Sequence, residues 1–160
     1  MLEDVRAATA ADVPRMVALS EKERTERERF EPEFFRKAEQ GATAQEAYFK
    51  WQLAQPNVIA VVHEAESGID GFAIASLITA PPVYKRGGPT ALIDDFTVAH
   101  PQSWDSIGRW LFERLKSEAG KRGAVGMVSI CAHKDELKRG FLASLGLRVV
   151  SEWWFAPIRP

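Results

Sequence analysis

The sequence predicts an α/β (α+β) domain built on a mixed, mostly antiparallel central sheet of six or seven strands, with helices on both faces. Three observations carry this. The hydrophobic period changes from helical to strand-like after Gln55-Pro56; three apolar strand candidates then follow one another with only turns between them; and from residue 100 onward helical and strand patterns alternate. With 160 residues, 46% of them hydrophobic and 27% charged, the chain has the length and composition of one globular domain spanning 1–160.

A short strand over 4–8 opens the chain. Thr9 and Asp12, side-chain acceptors ahead of Val13-Pro14, mark a helix start, and Val13, Met16 and Val17 share one helical face. Residues 21–37 (EKERTERERFEPEFFRK) interleave acids with bases. They read as a solvated helix with i,i+4 ion pairs that turns at Pro32, with Phe30, Phe34 and Phe35 as anchors. A further helix over 43–53 places Ala47, Tyr48 and Trp51 at core spacing. The runs 57–64 (NVIAVVHE) and 69–78 form a hairpin around Ser67-Gly68, and a Pro- and Gly-rich loop over 81–89 leads to a third strand over 90–99 (TALIDDFTVA). In the helix at 106–119, Ile107, Leu111, Leu115 and Ala119 form one stripe, ended by Gly120 and Gly123. A buried strand over 125–132 follows, then a helix marked by Leu137, Phe141 and Leu145 and capped by Gly146, then a last strand over 148–158 (RVVSEWWFAPI).

Composition removes several functional classes. Lys and Arg number 21 against 22 Asp and Glu, for a net charge of -1, so no cationic surplus is present to coat nucleic acid. The most apolar stretch, GFAIASLITAPPV, is shorter than the ~20 residues of a membrane span and contains two prolines. The N-terminus is acidic in its first four residues and lacks the basic and apolar regions of a signal peptide, and the single Cys131 permits no intrachain disulfide. The expected setting is cytoplasmic. No HxxxH-like spacing accompanies the aspartates and histidines, so no metal is expected.

Chemistry is expected where strand 90–99 crosses to helix 106–119, because a helix start presents unpaired N–H groups and the positive end of the dipole to an anion. Within the strand, alternation sends Asp94 and Asp95 to opposite faces and puts Leu92, Asp94, Phe96 and Val98 on one. A carboxylate in an apolar strand has a raised pKa, which suits a general base. Tyr84 in the preceding loop is a candidate acid, and His100 and His133 stand near the ends of adjacent strands.

The opening VRAATAADVPRMVAL, the unit LIDDFTVAHPQSWDSIGRWLFERL and the tail FLASLGLRVVSEWW together resemble the GNAT superfamily of N-acetyltransferases, in a layout covering nearly the whole chain. The resemblance implies the GNAT-like acyl-CoA N-acyltransferase fold and acetyl-CoA as cosubstrate. The family's Gln/Arg-x-x-Gly-x-Gly/Ala pyrophosphate motif falls on Ser103, Ser106 and Gly108, of which only the glycine is kept. Trp104, Ile107 and Arg109 belong to the same implied cofactor stretch. Asp105 would repel a pyrophosphate there unless Arg109 offsets it. Phe96 and Val98 match the strand backbone that pairs with the pantetheine arm, and Phe141 is the aromatic of the last helix. Leu142 stands where many members carry a tyrosine that acts as general acid, and Asp135 where asparagine is frequent.

The reaction so implied is transfer of an acetyl group to the amine of a small molecule or peptide, by direct attack with Asp94 as base. The alternative is a catalytically lapsed module of the same fold that binds a ligand or partner. Adjacent Trp153 and Trp154 face opposite sides of a strand, so one needs cover outside the core, which points to a homodimer or partner contact. A doubly wound nucleotide binder is disfavoured, since no Gly-rich loop follows the first strand.

Overall fold

A computed structural model describes residues 1–158. Five strands form one sheet in the order β1 (Val5–Ala7), β2 (Val58–Ala65), β3 (Gly68–Ile78), β4 (Thr90–Val98) and β5 (Gly126–Ser129). The first four are antiparallel to their neighbours, and β4 and β5 are parallel. The mixed, mostly antiparallel sheet with helices on both faces is as the sequence predicts. It has five strands among the described residues rather than six or seven.

The difference lies in the C-terminal segment. Residues 148–158 adopt no regular structure, and Trp153 and Trp154 are 89% and 90% exposed. β-Branched and aromatic residues favour a strand only when another edge supplies hydrogen bonds, and among the described residues none is paired to this segment. Its Phe155 instead meets Phe34 edge to face, with ring centres 5.2 Å apart.

Helices α1 (Val13–Phe30) and α2 (Gly41–Leu53) cover one face, where Val13, Met16, Val17, Leu19 and Phe49 pack on Val62, Phe72 and Ile74. α1 stops at Glu31, just before Pro32, which cannot continue a helical ladder. In α2 the buried residues are Phe49 and Gln52, not Tyr48 and Trp51. Phe49 sets the rotation of this helix by meeting Phe72 edge to face at 5.6 Å, leaving Tyr48 and Trp51 stacked on each other at 5.7 Å on its exposed side.

Helices α3 (Arg109–Lys121) and α4 (Glu136–Ser144) cover the other face, with Leu111, Phe112, Leu115, Phe141 and Leu142 packed on Val61, Ala73, Ile93 and Phe96. The Asp135 carboxylate caps α4 by accepting from the Lys138 N–H at 3.0 Å, and Gly146 ends it at φ 83°, the left-handed region open to glycine. α3 is preceded by a 3₁₀ turn, Pro101–Ser103, and a π turn, Trp104–Gly108, so the helical path begins earlier than residue 106.

Candidate active site at the opening of the sheet

The site is built by two irregularities in β4. The first is a bulge: Ile74 of β3 faces Asp95, and the next residue, Ala75, faces Ile93, leaving Asp94 as an extra residue. Ala91, Ile93, Phe96 and Val98 therefore all belong to the core beneath α3 and α4. Two residues, Asp94 and Asp95, lie between inward-facing Ile93 and Phe96, where regular alternation allows one. This corrects the expected register: Asp94 does not share a face with Phe96 and Val98, and the two aspartates are not split between opposite faces. Both act on Tyr48 of α2, whose phenol pKa is pushed up by burial and then by the charges of Asp94 and Asp95. Asp95 stands opposite Ile74 of the core under α1 and α2 and so faces that side, with Asp94 beside it at the bulge.

The second irregularity is where β5 departs. Register pairing of β4 with β5 runs from Thr90–Gly126 to Ile93–Ser129, and the Ile130 N–H donates to the Ile93 carbonyl at 3.1 Å. Beyond that point no described strand pairs with this edge of β4, so the backbone of 94–98 borders an opening in the sheet.

Lys138 reaches into this opening. Its ammonium donates to the Phe96 carbonyl at 2.6 Å and to Glu23 Oε1 of α1 at 3.1 Å, and it lies 5.3 Å from the ring centre of Trp104. Glu23 also accepts from Arg27 at 2.8 Å. Burial pushes the Glu23 carboxyl up, but the charges of Lys138 and Arg27 leave it below its ordinary value. Asp95 behaves oppositely: burial, then the negative charges of Glu23 and Asp94, raise it to about 6 against the pull of Arg27 and Lys138. Asp94 is raised by burial, partly offset by the backbone N–H groups of Asp94 and Asp95. Its Oδ1 is buried with no hydrogen-bond partner among the described residues. The pair thus combines a carboxyl raised to about 6 with a second whose Oδ1 has no hydrogen-bond partner among the described residues.

The other expected site residues divide by location. Tyr84 is 63% exposed in the loop that enters β4 at Thr90. Four to five residues of strand at ~3.3 Å each separate that end from the aspartates, so the structure does not bring Tyr84 to them. Trp104 and Phe141 stack at 5.0 Å in the core, and Phe96 meets Trp104 edge to face at 5.0 Å. A Cβ on Gly108 would come within 2.7 Å of Trp104, so this glycine is required by packing. Ile107 likewise packs on Gly71, where a Cβ would come within 2.8 Å. Ser103, Ser106 and Arg109 keep partial exposure at the helix start. The Asp105 side chain is 82% exposed, with Oδ1 3.9 Å from Arg109 Nη2, so its charge is turned outward and partly matched. His100 is exposed, and His133 is tied to Arg139 at 3.0 Å.

Three residues at the opening were not expected there from sequence: Lys138 and Glu23, and Tyr48, whose spacing predicts a core position. One signal for Lys138 was available: it stands three and four residues before Phe141 and Leu142, on the same apolar stripe of its helix. A buried His63–Asp70 pair, 2.6 Å apart, was also missed; it is on the β2–β3 hairpin, with His63 stacked on Trp110 at 5.4 Å.

A bulged fourth strand, a parallel fifth strand that leaves it, and a helix starting at the end of the fourth make up a fold that this chain shares with solved acetyltransferases. No protein-family model matches the chain, and no curated protein matches it in sequence. Solved structures do match in fold. A mutant of the BH1408 protein from Bacillus halodurans superposes with a TM-score of 0.85 at 21% identity, covering 97% of this chain and 99% of that one. A predicted acetyltransferase from Clostridium acetobutylicum, solved with acetyl-CoA, gives 0.75 at 19% identity over 96% and 94%. The aminoglycoside N-acetyltransferase AAC(6')-Iy in complex with CoA gives 0.72 at 15% identity over 98% and 95%.

Proposed function

We propose that this chain is an N-acyltransferase that moves an acetyl group from acetyl-CoA to a primary amine. The observation that carries the reading is the opening between β4 and β5. It joins a helix start on one side of the sheet to a half-buried carboxylate pair on the other, the arrangement that a long anionic donor and an amine acceptor require. Similar folds solved with acetyl-CoA and with CoA support it.

In this reading the pyrophosphate sits at the helix start, held by the backbone around Ser106 and by Arg109, and the pantetheine arm pairs with the backbone edge at Phe96 and Val98 that β5 leaves unpaired. Trp104, Ile107, Gly108 and Phe141 contribute by fixing that backbone from within the core. The amine enters from the α1 and α2 side, past Tyr48 and Trp51. An amine attacks only when neutral, so its proton must be accepted; in place of Asp94, the base expected from strand alternation, this reading takes Asp95, which stands opposite Ile74 and is raised to about 6 with the help of the Asp94 charge. A backbone N–H of the open β4 edge stabilises the carbonyl oxygen as it becomes an oxyanion. The acceptor is the amine of a small molecule or peptide. A homodimer would cover the exposed apolar side chains of 148–158.

Calorimetric titration with acetyl-CoA and with CoA, followed by a thiol-release screen over amines, tests this. Micromolar binding and amine-dependent thiol release are expected. No heat of binding at millimolar ligand, on protein shown to be folded, would remove the reading.

A further inference from the structure

Lys138 is 1% exposed, and a fully buried lysine is rare unless paired. Its pairing is unusual in route. Lys138 belongs to α4, whose Phe141 and Leu142 pack on one face of the sheet, while its carboxylate partner Glu23 belongs to α1 on the other face. Side chains from opposite layers meet only where the sheet is not closed, and β4 and β5 separate after Ile93 and Ser129. The ammonium therefore spans the opening itself. Stability alone does not explain it: a buried ion pair is often matched or bettered by apolar side chains of similar volume. The charged and titratable groups around Lys138 are Glu23 and Arg27 of α1, Asp94 and Asp95 of β4, Cys131 after β5 and Asp135 at the start of α4.

We propose, building on the acyl-transfer reading above, that Lys138 is the cation that receives the departing thiolate of CoA and supplies its proton. A thioester threaded along the open edge of β4 brings its sulfur to the Phe96 carbonyl, where the ammonium already stands at 2.6 Å. The amine nitrogen bonds to the acyl carbon, and its proton passes to Asp95. The C–S bond breaks with its electron pair going to sulfur, and sulfur takes a proton from Lys138 Nζ. Proton return from Asp95 to Lys138, directly or through water, restores both groups, so amine and acetyl thioester become amide and thiol with no other reactant. Glu23 is a positioning residue that holds the ammonium at the opening between turnovers.

The test compares wild type, Lys138→Met and Lys138→Arg, each first checked for an unchanged thermal transition, with CoA itself as the probe. The thiol pKa of bound CoA is read from thiolate absorbance. In the wild type it should lie at least about one unit below that of CoA in solution, as thiols beside a lysine do. Lys138→Met should return it to the solution value and lower kcat about 100-fold, with KM for acetyl-CoA changed by less than about threefold. Lys138→Arg should keep the thiol acidic, because the charge remains, yet lose at least about tenfold in kcat because arginine does not release its proton. An unshifted bound thiol in wild type, or unchanged kcat in Lys138→Met, overturns the proposal while leaving acyl transfer standing. Should the Met variant not fold, unchanged kcat in Lys138→Arg overturns the proton-donor role. Failure of wild type to bind CoA overturns both readings.

Discussion

The two halves of β4 are one strand with opposite fates. From Thr90 to Ile93 it is paired on both sides, with β3 and β5, and contributes Ala91 and Ile93 to a closed core. From Asp94 to Val98 it is paired only with β3, carries an extra residue, and borders Lys138, Glu23 and the two carboxylates. Buried polar groups cost free energy when left unpaired, and Lys138, Glu23 and Asp95 meet where the sheet opens. The lesson is that a single inserted residue and a departing neighbour convert the middle of a sheet into a polar passage while the same strand anchors the fold a few residues earlier.

Removing Asp94 tests this contrast most severely. Deletion leaves one residue between Ile93 and Phe96, so regular alternation keeps Phe96 and Val98 in the core, and the account expects a folded protein by urea denaturation whose thiol release falls at least about 100-fold. Deleting a residue from the exposed loop at 81–89 should lower thiol release much less. Next comes Gly108→Val, whose new side chain meets Trp104 and Phe141; a loss of about 1–3 kcal/mol is expected from overpacking, read by urea denaturation.

Asp95→Asn should act in the opposite direction, and only above acid pH. The folded protein raises this carboxyl from 3.8 to about 6. It therefore favours the protonated form, and that contribution to stability, complete below 3.8, is lost as pH rises through 6. At pH 7.5 the amide should stabilise the fold by about 1–2 kcal/mol, and near pH 4 the difference should vanish. Thermal melts at the two pH values check the sign. The same variant should lose most thiol release, whereas Asp94→Asn, which removes a charge that raises Asp95, should shift the acid limb of kcat/KM to lower pH. The smallest effect is expected from Trp153→Ser: this side chain touches little, so stability of the monomer should change by no more than about 0.5 kcal/mol.

Much of the frame was legible because it rests on local signals. The β2–β3 hairpin followed from two apolar runs around a glycine turn, α3 from the stripe Ile107, Leu111, Leu115, and α4 from Phe141 with Gly146 beyond it. The features that make the site were not local. Nothing in LIDDFTV marks Asp94 as an extra residue, since the bulge exists only relative to β3. Tyr48 and Trp51 have the spacing of a core face, and only the contact of Phe49 with Phe72 shows that the helix is turned the other way. Lys138 shares the stripe of Phe141 and Leu142, but nothing local supplies a partner for its charge until the parting of β4 and β5 gives its side chain a route through the sheet. The run at 148–158 has every side-chain mark of a strand, but a strand also needs an edge to pair with.

The central claim is that the open half of β4 receives the donor, and amide hydrogen exchange with and without acetyl-CoA tests it most directly. The account predicts that acetyl-CoA slows exchange at the amides of 96–98 and at the helix start around Ser103–Ser106, with little change at 90–93, which are already paired. Binding that leaves 96–98 unchanged, or that protects only residues elsewhere in the chain, would contradict it.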